Sequence, residues 1–307
     1  MKVFFKKISF FLTAIFVVWF LVECFYRFVP NNYTEKHKNI QNNYNKTEVL
    51  IFGNSHTFYG LNPKYFDQSS YNIANISQSI YFDKLLFDRH IDGFKDLKYV
   101  VLNIEYTSLS QKDNTMEDFW RKYFYQAQMD LEVSIIPFYD IRQYSLALSR
   151  SFKNSINSIN QYYKNGTITE CDEFGWGNIY TYENRRLNLD ELAVRTVRKH
   201  EDNSMDFEVN MQRIKSIIKK CNEKNIRIIL VSMPVHKSYS EKVNHEKVKA
   251  IHSVAENLAR EHSNTSYINL FYDENFLDDD FFDPDHLNNK GAEKCSEIVN
   301  EFIKQNN

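Results

Sequence analysis

EVLIFGNSHTFYGLNP, running from Glu48 to Pro63, is the stretch whose reading decides the fold. The apolar run Val49 to Phe52 stops at Gly53, Asn54-Ser55-His56 follow, and the residues after them can form a helix. A short buried strand ending on glycine can turn sharply. The helix that opens next directs its unpaired N–H groups and the positive end of its dipole at the same spot. Such a turn exposes the Ser55 hydroxyl beside groups that stabilise an oxyanion, so Ser55 is the candidate nucleophile. Any strand-to-helix turn favours Gly, Asn and Ser, however, and a second signal is needed.

That signal lies near the other end of the chain, in FFDPDHLNNKGA, Phe281 to Ala292. Asp283 precedes His286 by three positions in a proline-containing loop, and Asn288 or Asn289 can cap the final helix. Such a loop can hold a carboxylate against one imidazole nitrogen and leave the other facing a serine, as a triad requires.

With both blocks in view the chain resembles the SGNH (GDSL-like) hydrolase superfamily. The matching residues are Gly53-Asn54-Ser55-His56 after the first strand and Asp283-Pro284-Asp285-His286-Leu287-Asn288 before the last helix. It is most similar to the membrane-anchored bacterial branch, which includes esterases and O-acyltransferases of cell-surface polymers. The resemblance implies Ser55 as nucleophile, His286 as base and Asp283 as its orienting acid. It also implies an oxyanion donor from a second block, here Asn72 to Ser79, where the family has a glycine and Ser77 is the nearest equivalent. A third block, glycine-x-asparagine-aspartate in the family, reads Ile104-Glu105-Tyr106-Thr107 here. The side-chain donor is therefore open between Asn75, Tyr106 and Thr107.

The segment before the domain divides in two. Met1 to Val29 carries Lys2, Lys6 and Lys7, then ISFFLTAIFVVWFLV, then Glu23 and CFYRFV. The apolar core is somewhat shorter than the ~20 residues of a spanning helix. No small-x-small cleavage site follows it, so an uncleaved anchor is expected rather than a signal peptide, with the amino terminus inside. Glu23 and Arg27, four apart, can pair at the interface. Pro30 to Thr47, rich in Asn, Lys and Tyr, reads as a tether.

Beyond Thr47 roughly 260 residues remain, one large domain. A net charge of -2 with no long basic run gives no reason to expect nucleic acid as a partner. Cys171, Cys221 and Cys295 lack CxxC spacing, which disfavours a structural zinc site or a disulfide framework. Cys221 and Cys295 instead sit on apolar helical stripes, as buried small hydrophobes do. No metal or cofactor is expected. The acidic run Asp278 to Asp280 with Asp283 and Asp285 lacks the spacing of a calcium loop and reads as exposed.

Strands are expected at 49–52, 71–73, 99–104, 226–233 and 266–271, and helices at 81–94, 207–224, 241–262 and 292–304. This alternation predicts α/β architecture, a parallel sheet of five strands with helices on both faces, in keeping with the three-layer flavodoxin-like SGNH fold. Sites in such sheets lie beyond the carboxyl ends of the strands, where Ser55 and the Asp283–His286 loop both fall. Residues 107–206 form a mainly helical insertion, with helices at 118–125 and 146–163. In it, Trp176 with Phe174 and Tyr180 can stack on a sugar ring or form the insertion's own core.

Among the histidines only His286 has a carboxylate at the family spacing. His56 suits a substrate contact or a surface role, and His236 a surface position. The expected activity is transfer of an acyl group, acetyl in the first place, from an ester to water or to a sugar hydroxyl, outside the cytoplasmic membrane. The natural partner is an acylated cell-envelope or exopolysaccharide glycan. Two other roles are open: a degenerate scaffold that binds polysaccharide, or an aide to a multi-span membrane acyltransferase.

Overall fold

The computed structural model describes residues 1–306. In chain order the helices and strands are α1 (Lys2–Phe28), α2 (Asn32–Asn42), β1 (Val49–Phe52), α3 (Ser55–Gly60), β2 (Ser70–Asn72), α4 (Ile80–His90) and β3 (Tyr99–Asn103). They continue with α5 (Asp118–Met129), α6 (Leu146–Ser149), α7 (Phe152–Asn165), α8 (Leu189–His200), α9 (Glu208–Glu223) and β4 (Arg227–Ser232). The last are α10 (Lys237–Ser240), α11 (His245–Glu261), β5 (Thr265–Asn269) and α12 (Asn289–Gln305).

The five strands are parallel, in the order β2-β1-β3-β4-β5. This is the flavodoxin-like doubly wound order, which places a crevice beyond the strand ends where the winding reverses, between β1 and β3. The expected strands thus all form, each within two residues of its expected ends. Their period of two sorts the side chains. Val49, Ile51, Tyr99, Val101, Ile229 and Val231 join Cys295, Val299 and Ile303 of α12 in one core. Phe52, of opposite parity, meets Phe87 of α4 at 6.1 Å between ring centroids, and α4 in turn packs on α9.

The chain separates into two compact units, residues 1–37 with 119–169 and residues 38–118 with 170–306. The segment expected as an insertion, 107–206, is therefore divided between them. In the first unit α1 is long and apolar enough to cross a membrane. The Arg27 guanidinium pairs with Glu23 at 2.7 Å, as their spacing suggested. Three local expectations need correction. Residues 30–47, read as a tether, contain α2, in which Tyr33, Lys36 and Ile40 are buried. The helix expected over 146–163 is broken, because the Ser151 side chain accepts from Asn154 N and starts α7 anew. Finally, α8 was not foreseen.

Candidate active site

The turn that carries the serine and the segments holding Ser77 and Glu105 follow strand ends in the second unit. β1 finishes at Phe52, and Gly53 turns the chain with φ 127°, a conformation that L side chains rarely adopt. A Cβ there would lie 2.5 Å from Thr57 Oγ1 and 2.6 Å from Asn103 Cβ. Gly53→Ala is therefore expected to cost at least about 1–3 kcal/mol, read as a lower urea midpoint at unchanged slope. Asn54 then caps α3: its Oδ1 accepts from His56 N at 3.0 Å and from Asn103 Nδ2 at 3.0 Å, and its Nδ2 donates to Glu105. Ser55 is the first residue of α3.

The opposing loop is held just as closely. Phe281 and Leu287 form an antiparallel bridge, and Asn288 caps α12 through Lys290 N and Gly291 N while its Nδ2 donates back to the carbonyls of Asp279 and Phe281. Asp283 Oδ1 accepts from the amides of Asp285 and His286 at 3.1 and 2.9 Å. The carboxylate so fixed lies 2.9 Å from His286 Nδ1, and His286 Nε2 lies 2.8 Å from Ser55 Oγ. The structure thus aligns Asp283, His286 and Ser55 at hydrogen-bond distances.

Behind these residues is a charge network. His56 is buried, with Nδ1 2.5 Å from Glu105 Oε2 and Nε2 3.2 Å from Asp285 Oδ2. The other oxygen of Asp285 lies 3.5 Å from His286 Nδ1, and His200 Nε2 approaches Asp285 at 3.9 Å. Burial alone would discharge His56, but Glu105 and Asp285 outweigh it and push its pKa up to about 9. Burial likewise opposes the Glu105 carboxylate, yet His56 brings it down to about 2. For His286, burial is overcome by Asp283 and then Asp285, and its pKa is held well above 6.5. His200, which has weaker partners, is lowered by burial.

A cavity of about 290 Å³ opens onto the serine, lined among others by Ser55, Ser77, Thr107, Tyr180, Lys199 and His200. Ser77 has φ 53°, the left-handed region that glycine enters most easily, at the position where the resemblance places a glycine. Tyr180 is stacked between Tyr59 and Phe282, with centroids 3.7 Å away on either side, and its edge faces His286 at 5.5 Å.

Several expectations change here. Trp176 does not line the cavity: it is buried, and its Nε1–H donates to the Tyr59 carbonyl at 2.7 Å. Asn75 does not line it either, although its amide donates to Gly53 O at 3.1 Å. Tyr106 bonds through its hydroxyl to Glu201, which leaves Thr107 as the lining residue of the three. His56 is a buried charged group rather than a surface residue. His236 is also buried, bonded to Ser238 and to Asp278. The acidic run is partly spent on partners, Asp279 on Arg185 and Asp280 on Lys294. His56, Asp285 and His286 bring ligand-type atoms within 4.8 Å of one another, but both His56 nitrogens face carboxylates, and a charged imidazole offers a metal no lone pair.

Sequence reading missed Glu105, His200 and Asp83. Glu105 stands in the departed third block, where its mismatch drew attention only as a loss. His200 ends α8, whose Leu189, Leu192, Ala193 and Val197 carry a helical spacing that would have revealed it. Asp83, on α4, accepts from Gly53 N at 3.0 Å and from Gln78 Nε2 at 2.7 Å, and burial raises its pKa to about 7.

Comparison with known proteins gives the following. A protein-family model matches residues 176–307. No curated protein matches the chain. Among solved structures, a protein of Streptococcus pneumoniae described as a platelet activating factor is similar at TM-score 0.46 and 10% identity, covering 96% of this chain and 99% of that one. A protein of Bacteroides fragilis described as an acylhydrolase gives TM-score 0.42 and 12% identity over 90% of this chain and 96% of that one. A GDSL-like lipase of Bacteroides thetaiotaomicron gives 0.42 and 11% over 90% and 99%.

Proposed function

We propose that this chain is a membrane-anchored serine esterase or O-acyltransferase, acting on acetyl or similar acyl esters of cell-envelope or exopolysaccharide glycans outside the cytoplasmic membrane. The observation that carries the reaction class is the alignment of Asp283, His286 and Ser55. With His286 neutral, Nδ1–H donates to Asp283 and Nε2 accepts the Ser55 proton as Oγ attacks the acyl carbonyl. The tetrahedral oxyanion is then held by backbone N–H groups of Ser55 and Ser77, and His286 returns its proton to the leaving alkoxide. Water or a sugar hydroxyl, activated by the same imidazole, takes the acyl group from Ser55. A scaffold that only binds would have no use for this alignment.

Three features support the substrate class. The cavity is lined mostly by polar residues, as a sugar hydroxyl surface requires. α1 can tie the chain to a membrane, and the lysines before its apolar run favour an extracytoplasmic site.

The test is labelling of Ser55 by a fluorophosphonate on the full-length protein, followed by p-nitrophenyl acetate turnover with and without an oligosaccharide acceptor. Labelling and turnover support the serine mechanism, and acetylated acceptor identifies transfer. A folded protein that is neither labelled nor active sinks it.

The pH dependence follows from the base. Catalysis needs His286 without its second proton, and its pKa lies above 6.5, so kcat/KM rises with pH on a limb displaced to the alkaline side of an ordinary histidine. In Asp285→Asn one of the two raising charges is gone, and the limb is expected to move back toward lower pH in a pH–rate profile.

A further inference from the structure

The unit formed by residues 1–37 and 119–169 contains a groove of about 510 Å³ along α1. One wall is the helix itself, through Phe11, Ile15 and Val22; the other includes Leu148, Arg150 and Phe152. At 1.5 Å per residue, Phe11 to Val22 spans about 16 Å of axis, roughly half of a bilayer's ~30 Å hydrocarbon thickness.

Polar ties fix the level of the second wall. Trp19 Nε1 donates to Ser145 Oγ at 3.0 Å, Glu23 accepts from Ser145 Oγ at 2.8 Å and from Ala147 N at 2.9 Å, and Arg27 donates to the Tyr144 carbonyl at 3.1 Å. Those contacts sit where the apolar run of α1 gives way to charge, so the groove extends from that boundary into the hydrocarbon-facing part of the helix. Its walls are exposed: Leu148 by 45%, Phe152 by 63% and Phe11 by 64%. Arg150, whose guanidinium lies 3.8 Å over the Trp120 ring, adds one positive charge to the lining.

We propose that this groove takes one acyl chain of a membrane phospholipid, in the leaflet nearest Arg27, with Leu148 and Phe152 seated at that lipid's level. The inference rests on α1 being a membrane span. A groove parallel to the helix fits a linear chain, its walls continue the lipid-facing surface of α1, and Arg150 has the sign that a lipid phosphate requires. A second transmembrane helix fits less well. Helices approach closely in membranes over small residues, and this wall carries Phe11, Ile15, Val18 and Trp19.

The experiment uses the full-length protein in detergent with dioleoylphosphatidylglycerol titrated in, read by native mass spectrometry. One tightly held phospholipid per chain is expected. Ala147→Trp, which fills the groove and leaves the backbone tie to Glu23 in place, should weaken binding by about tenfold, with p-nitrophenyl acetate turnover unchanged. Leu148→Gln, milder for folding, should weaken it in the same direction. Equal binding by wild type and both variants, no bound lipid, or a second protein chain in its place would each overturn the proposal. Alkaline carbonate extraction of native membranes separates the premise from the proposal. A chain released by carbonate overturns the membrane span and the groove with it, whereas a retained chain without lipid overturns the groove alone.

Discussion

Ser55→Ala and His286→Ala are each expected to lower kcat/KM for p-nitrophenyl acetate by at least about 10⁴-fold, and the double variant by no more than either alone. In the proposed mechanism the two side chains act as one unit, because the serine becomes nucleophilic only while His286 Nε2, 2.8 Å away, can take its proton. Asp283→Asn should cost less, about 10²-fold. Asp285 Oδ1 waits 3.5 Å from the same Nδ1 and can take over part of the orienting role. Near-UV circular dichroism on each variant confirms that the fold is intact. Residual activity within tenfold of wild type in a folded Ser55→Ala would assign the hydrolysis to another residue.

His56→Ala is expected to be the most destabilising substitution in the site. It leaves Glu105 and Asp285 buried and without their shared cation, and breaking a buried pair from one side costs about 3–5 kcal/mol. The urea midpoint reports this directly. The pH dependence of stability carries the same signature, with opposite signs at its two ends. The folded-state pKa of His56 is raised, so its contribution is full below 6.5 and is lost as pH rises through about 9. The folded-state pKa of Glu105 is lowered, so its contribution is present above 4.5 and is lost as pH falls toward about 2. Between those limits both terms hold. An unchanged midpoint in His56→Ala would show that the three groups are not an ion network.

What could be read from the sequence was what local punctuation marks. Val49 to Phe52 is an apolar run closed by a glycine, and the strand has those ends. Asn288 was one of the two asparagines expected to cap the last helix, which starts three residues before its expected Ala292, and the Asp283–His286 spacing announced the contact found. The His56–Glu105 pair had no such mark. Glu105 follows β3 by two residues, and only the parallel pairing of β1 with β3 brings it beside the turn after Gly53. The choice between the two readings of Trp176, sugar contact or core, was open for a related reason. An aromatic residue in a polar loop looks available for a ligand until the partner of its N–H, here the Tyr59 carbonyl, is known.

The hydrogen bond between Ser55 and His286 joins residues 231 positions apart. During synthesis, therefore, the serine emerges long before the histidine proposed to activate it, by many seconds in a chain elongating at ~5–20 residues per second. The loop holding His286 is also clamped by Asn288, the cap of the last helix. Under the proposed mechanism, acyl chemistry begins only when the last helix and the loop before it have folded against the turn after β1, so a nascent chain would meet acyl donors without reacting with them.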